Sequence, residues 1–479
     1  MKRNKVSILV LALFIPLTNL SAYGANPTPG ASCSKIGKTT NFKDKRFTCI
    51  RSGTKLVWDK GVLLVARKSP APTSIKRSTT PSASPSAKAS LQPTASPKPS
   101  ETQIIKSSIQ VSPINEYRAI EDCKIGISAA RQDVSQSHAP RSWQLIDIEK
   151  PIRILIFSVD FPDLISPTKT SPNFGELIKS MESFYESQSD GKIQFKWTIA
   201  PDFARMSKTI ESYGVGSRAT GSTWQLNNDI QDLAFRTYNR EDFDLVIASA
   251  PVSTTREQIA TSPAFGSSDP RYKGATYLGG DYWSSGKSWT IPAHEFGHFA
   301  LGLADLYDFK SSMLGQSGFE AQFQHMGVYD IMNWAGGAGI ELSAWNRWIG
   351  KLISDSQILC QPISKTVTLL QPIERVNKQI KGIVIPISQT SALIVENRAP
   401  LGYDSKLPQG AQGIVIYLVD ISIPSGQGPM KVIRKPGSSD IWFRDNALKV
   451  GESLTYMGYT IKVLDKNNDD YYVEVQKTS

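Results

Sequence analysis

Thr290-Ile291-Pro292-Ala293-His294-Glu295-Phe296-Gly297-His298-Phe299-Ala300-Leu301-Gly302-Leu303-Ala304-Asp305 is the stretch from which the rest of the chain is read. Thr290 suits a cap, Pro292 a first helical turn and Gly302 a helix end, so a helix is expected between them. On it, His294 and His298 are four residues apart and leave the same face, where both imidazoles reach one metal ion. Glu295 lies beside them, placed as a carboxylate that takes the proton of a metal-activated water. The chain has only four histidines, and two are here. The same spacing also arises by chance in ordinary helices, so the residues that follow carry the weight.

A two-histidine site needs a third protein donor. Gly302 turns the chain back, which brings Asp305 or a near neighbour into reach; Asp308, Glu320 and His325 remain alternatives. Gly302-Leu303-Ala304-Asp305-Leu306-Tyr307-Asp308 resembles the immune-inhibitor-A-like metalloproteases, a secreted branch of the metzincin zinc peptidases, whose helix runs H-E-x-x-H-x-x-G-L-P-D-x-Y-D. The resemblance implies zinc on His294, His298 and Asp305, with Glu295 as general base and acid. This chain departs from the pattern in having three residues, Phe299, Ala300 and Leu301, before the glycine, and Ala304 where proline is usual. One added residue turns a helix by about 100°, so Asp305 needs a bulge or an altered turn to aim at the metal. Glu320 as third ligand would suit the other large zincin class.

Gly327-Val328-Tyr329-Asp330-Ile331-Met332-Asn333-Trp334 resembles the methionine turn under the zinc of metzincins, with Met332 as its methionine. Tyr329, close to that turn, is assigned as a stabiliser of the oxyanion. Glu341 to Gly350 resembles the helix that follows.

Upstream, Pro151 to Asp160 reads as a strong strand, Leu177 to Tyr185 keeps helical spacing, Lys192 to Ile199 reads as a strand, Gln225 to Tyr238 as a helix and Phe243 to Ala248 as a buried strand. This alternation implies an α/β sheet with the motif helix behind it. The glycine-rich segment from Gly274 to Gly286 is expected to be either a substrate-pairing edge strand, as in metzincins, or an aromatic loop.

Downstream of Cys360 come short alternating strands, Thr366 to Leu370, Gly382 to Ile387, Ala392 to Asn397, Gly413 to Val419, Tyr459 to Leu464 and Tyr471 to Val475, which argue a β-sandwich of about 115 residues. Asp465 to Asp470 is rich in oxygen donors but lacks the glycine and distant glutamate of an EF-hand, so a hairpin turn is expected. The resemblance implies structural Ca²⁺ as well, without residues to assign to it.

The N-terminus differs in kind. A basic start and an apolar run from Val6 to Leu20 broken by Pro16 read as a signal peptide, residues 1–25, and hence as export. Four cysteines in an exported chain imply disulfides, expected as Cys33 with Cys49 and Cys123 with Cys360, although four cysteines permit three pairings. Residues 26–66 read as a small cysteine-pair module with a hairpin at Gly53 packing Leu56 and Trp58, and 67–112 as a Pro/Ser/Thr-rich linker. Residues 1–112 hold 18 Lys and Arg against 3 Asp and Glu, while the remainder holds 36 against 40, so the net charge of +11 originates in the N-terminal part. An exported basic segment points to anionic cell-wall polymers as partners and away from nucleic acid.

The expectation is therefore a secreted zinc endopeptidase acting on protein or peptide substrates, with a catalytic domain over 113–360 and a β-sandwich-like domain over 361–479. An inactive, zincin-like surface protein that binds wall polymers is the alternative.

Overall fold

The structure is a computed structural model that describes residues 29–33, 35–42, 45–63, 109–126, 134–139, 146–216, 221, 223–260, 264–265, 271–280, 289–309 and 319–478. The expected signal peptide, most of the expected linker and residues 281–288 lie outside the described residues. Two compact units divide the chain, Met1–Glu101 and Thr102–Ser479.

The first unit is a small antiparallel sheet of β1 (Thr39–Phe42), β2 (Lys45–Ser52), β3 (Lys55–Trp58) and β4 (Val62–Leu63), in which β2 pairs with the other three. The Cys33–Cys49 disulfide, Phe47 and Trp58 fill its core, and Gly53, at φ +60°, makes the predicted turn between β2 and β3. So small a core needs the covalent link.

The second unit is mixed α/β and begins with β5 (Tyr117–Arg118). Its first sheet contains β6 (Ile152–Asp160), β7 (Phe195–Ile199), β8 (Ala204–Arg205), β9 (Leu245–Ser249), β10 (Ala264–Phe265) and β11 (Gly274–Leu278) in the order β10-β11-β9-β6-β7, with β8 beside the end of β6. The apolar run of β6 is buried on both faces, as a central parallel strand must be. Ile152, Ile154 and Ile156 point to one side, into a core with Phe184 of the helix Gly175–Gln188 and Phe296 of the motif helix. Leu155, Phe157 and Val159 point to the other, against Leu226 and Ile230 of the helix Thr223–Ala234. Strand β11 is flanked on both sides, parallel to β9 and antiparallel to β10, so the expected edge at Gly274 is displaced to the two-residue strand β10.

After the motif helix come the short helix Ala344–Ile349 and the strands β12 (Ile358–Pro362), β13 (Thr366–Leu370), β14 (Gly382–Pro386), β15 (Ser391–Arg398), β16 (Gly413–Asp420), β17 (Met430–Val432), β18 (Ser453–Tyr456), β19 (Tyr459–Asn467) and β20 (Asp470–Lys477). One sheet runs β17-β16-β15-β14-β12-β5 and the other β13-β20-β19-β18, and Ile383, Leu393, Ile416, Ile461 and Val473 pack between them as a sandwich core. The oxygen-rich stretch is the β19–β20 turn, Asn468 taking φ +56°.

The boundary expected at 360 is crossed by continuous packing. Alternate residues of the first sandwich sheet, among them Val384, Ile394, Val415 and Tyr417, join the same core as Phe296 and Trp345. Strand β5, far upstream, pairs with β12, and the Cys123–Cys360 disulfide fastens the two beside that pairing.

A buried polar network reinforces this junction. Arg398 donates to Asp404 at 2.9 Å and to Glu396 at 3.0 Å and lies 3.3 Å from Glu374, while Arg347 donates to Glu341 at 2.6 Å. Four buried carboxylates thus share two buried guanidiniums. Burial first, then the charge of Asp404, pushes Glu374 well above the ordinary carboxyl range. A carboxyl raised on folding contributes stability that is full below its unfolded pKa and is lost as the pH rises through its folded one. Glu374→Gln, which supplies a neutral partner at every pH, is therefore expected to gain in melting temperature relative to wild type between pH 4 and pH 8. A difference that stays flat or falls over that range would contradict a buried, protonated Glu374.

Candidate metal centre

The helix expected around the histidine pair runs Thr290–Leu301. Gly302, at φ +69°, reverses the chain, and two backbone bonds close the reversal: Gly302 N–H to His298 O at 2.8 Å and Leu303 N–H to Gly297 O at 3.0 Å. The Gly302 bond is the single 5→1 bond of the αL cap that glycine permits, and Leu303 reaches one residue further back. The extra residue before Gly302 is taken up in the helix, and Asp305 returns to the histidines through the altered turn.

Three donor atoms converge there. Asp305 Oδ1 lies 3.1 Å from His294 Nε2 and 3.0 Å from His298 Nε2, and the two nitrogens are 3.1 Å apart. The opposite ring nitrogens are fixed by carbonyls, His294 Nδ1 2.8 Å from Ile331 O and His298 Nδ1 2.7 Å from Leu303 O. A carbonyl only accepts, so each Nδ1 carries the hydrogen and each neutral ring turns an Nε2 lone pair inward. Two lone pairs and a carboxylate oxygen then face one another, an arrangement that calls for a cation. Donors at about 2.0–2.1 Å from a tetrahedral metal stand about 3.3 Å apart, near the triangle seen here. His294, His298 and Asp305 are a group that can hold a metal ion.

A proton is the competing cation. Burial lowers the His298 pKa, but the charge of Asp305 and hydrogen bonds to Asp305 and Leu303 outweigh it and raise the imidazole above its ordinary value. Burial likewise raises Asp305, and the two imidazoles outweigh it and hold the carboxyl far below the usual range.

Beneath the helix, Asp330 adopts φ +71° and accepts hydrogen bonds from Met332 N–H at 2.9 Å, Ser343 N–H at 2.9 Å and Asn346 Nδ2 at 2.7 Å. These bonds fix the turn whose Ile331 carbonyl orients His294. A Cβ on Gly297 would lie 2.7 Å from Met332 Sδ, so the glycine between the two histidines is what admits the fully buried methionine. Met332→Ala is expected to cost about 2–5 kcal/mol, read by denaturant unfolding of the metal-free protein. A cost near zero would mean that the turn holds its shape without this side chain.

Glu295, half-buried, sits on the same helix. Tyr329 is corrected: its phenol is 1 % exposed and donates to Ala411 O at 2.8 Å, so it is spent on packing. The tyrosine at the metal group is Tyr307, whose ring stacks on His294 with centroids 6.2 Å apart and planes 11° apart. Burial, then the charges of Asp305 and Glu295, push its phenol well above its ordinary pKa. Its position two residues after Asp305 was the available signal, since residues two apart in an extended segment share a face. Of the alternative ligands, His325 and Asp308 pair with each other at 3.5 Å. Glu320 lies in the short 3-10 helix Phe319–Phe323, and its side chain is outside the described ones.

No protein-family model matches the chain, and a search of curated proteins finds no significant relative.

Proposed function

We propose that this chain is an exported zinc endopeptidase of metzincin type, acting on protein or peptide substrates. The observation that carries the reading is the convergence of two carbonyl-oriented Nε2 lone pairs and Asp305 Oδ1, with Glu295 on the same helix. Two imidazoles and one carboxylate are a zinc-type donor set, and zinc held by them supplies Lewis acidity to a scissile carbonyl and lowers the pKa of a water toward neutrality. Glu295 then takes the proton of the attacking water and hands it to the departing amine. Tyr307, kept protonated through neutral pH, donates to the charge that develops on the carbonyl oxygen. Two disulfides support export. The basic N-terminal region would hold the enzyme to anionic wall polymers.

The test is cleavage of casein by the mature chain, with and without a zinc chelator, followed by added Zn²⁺. Loss and recovery support the reading. Bound zinc at one per chain without cleavage would favour the surface-binding alternative, and no bound zinc would end the proposal. Tyr307→Phe is expected to lower kcat about 100-fold with zinc content intact, and an unchanged kcat would remove Tyr307 from the chemistry.

A further inference from the structure

The metal group is not completed by the α/β half alone. Between β16 and β17, in the sandwich sheet, Ser425-Gly426-Gln427-Gly428 runs antiparallel to Asp305–Phe309. Gly426 N–H donates to Asp305 O at 3.0 Å, Phe309 N–H to Gly426 O at 3.0 Å, and Gly428 N–H to Tyr307 O at 3.1 Å. Both glycines are required by shape. Each takes a positive φ, +70° at Gly426 and +71° at Gly428, and a Cβ would lie 2.6 Å from the Phe309 ring at the first and 2.1 Å from the His325 ring at the second. The segment is thus fitted to the ligand strand along its length.

At its head stands Ser425. Its hydroxyl oxygen accepts the Asp305 N–H at 2.9 Å, and its proton is directed to Asp305 Oδ2 at 3.4 Å. The two carboxylate oxygens therefore differ in their surroundings: Oδ1 faces both histidines and Oδ2 the serine, while the Tyr307 hydroxyl also hydrogen-bonds to this carboxylate. A hydroxyl that accepts a residue's backbone N–H and lies against its carboxylate restricts that residue's χ1 and the plane of the carboxylate.

We propose that Ser425, contributed by the sandwich half 120 residues downstream of Asp305, is the positioning residue of the metal centre, directing Oδ1 to the metal and keeping Oδ2 away from it. This rests on reading His294, His298 and Asp305 as metal ligands. Hydrogen-bonding partners of metal ligands are worth about 10- to 100-fold in metal affinity. Ser425 is half-buried at the surface of a loop, so its truncation leaves the core intact.

The experiment is competitive Zn²⁺ titration of the full mature chain as wild type, Ser425→Ala and Ser425→Thr, repeated with Co²⁺ to record the visible absorption of the bound ion. Ser425→Ala is expected to weaken Zn²⁺ binding about 10- to 100-fold and to reduce the intensity of the Co²⁺ bands as Oδ2 becomes free to coordinate. Ser425→Thr, which keeps the hydroxyl, is expected to restore both. Wild-type affinity and an unchanged Co²⁺ spectrum in Ser425→Ala would overturn the assignment while leaving the ligand set standing. So would weakened binding that threonine does not restore, because it would assign the loss to the loop. Failure of wild type itself to bind either ion would overturn the ligand set and this inference with it.

Discussion

Glu295→Gln is expected to lower peptide hydrolysis on the order of 1,000-fold while the protein retains one zinc per chain. The substitution keeps the size and hydrogen-bonding reach of the side chain and removes only its ability to accept a proton. Glu295 is not among the converging ligand atoms, so the metal group has no reason to change. Its charge contributes to the elevation of Tyr307, which places it electrostatically in the same pocket. Turnover and metal content measured on the same preparation separate the possibilities. Activity near wild type would mean that another group takes the proton, and a parallel loss of zinc would make Glu295 a structural support of the site. On the proposed mechanism a bound metal would still polarise the carbonyl when Glu295 is replaced, so the residual rate in Glu295→Gln should fall further on chelation.

Asp305→Ala is expected to have the larger effect on the metal itself. It removes the donor shared by both imidazoles and leaves two inward lone pairs with no anion to balance a dication. Zinc content should fall below detection after gel filtration, whereas Glu320→Ala should keep it; the reverse result would move the third ligand to Glu320. The same geometry sets a pH dependence. Since Asp305 raises His298, protons compete with the metal, and wild-type affinity should fall as the pH drops through the raised His298 value. A pH-independent affinity between pH 8 and 5 would mean that the histidines are not the ligands.

The parts of this arrangement that were legible in the sequence are those written at short range. The four-residue spacing of His294 and His298 needs only the helical repeat, and Gly302 marks the helix end because a left-handed residue is required there. The apolar run of β6 announced a strand buried on both faces. The pairing of β5 with β12 was hidden because two residues of strand carry no periodicity. Tyr329 lies close to the turn in sequence, but such closeness says nothing of where a phenol points, and here it points to Ala411. Ser425 left no signal of its own: a serine between proline and glycine reads as an ordinary turn, and only the fold brings it to Asp305. The β10–β11 reversal escaped for a related reason, since the glycines near 274 fit a strand and a loop equally.

The Cys123–Cys360 bond encloses 237 residues of sequence separation, the whole α/β half included. In the chain-entropy model, tying so long a loop disfavours the unfolded ensemble by about 5 kcal/mol. It also governs the fate of a nicked molecule. A single cut at any exposed point between the two cysteines yields fragments that stay covalently joined and remain packed against one core. Such a molecule would migrate as an intact chain until reductant is added, so accumulated nicks would be invisible in a non-reducing gel. Durability after the first cut, more than resistance to it, is what this crosslink confers.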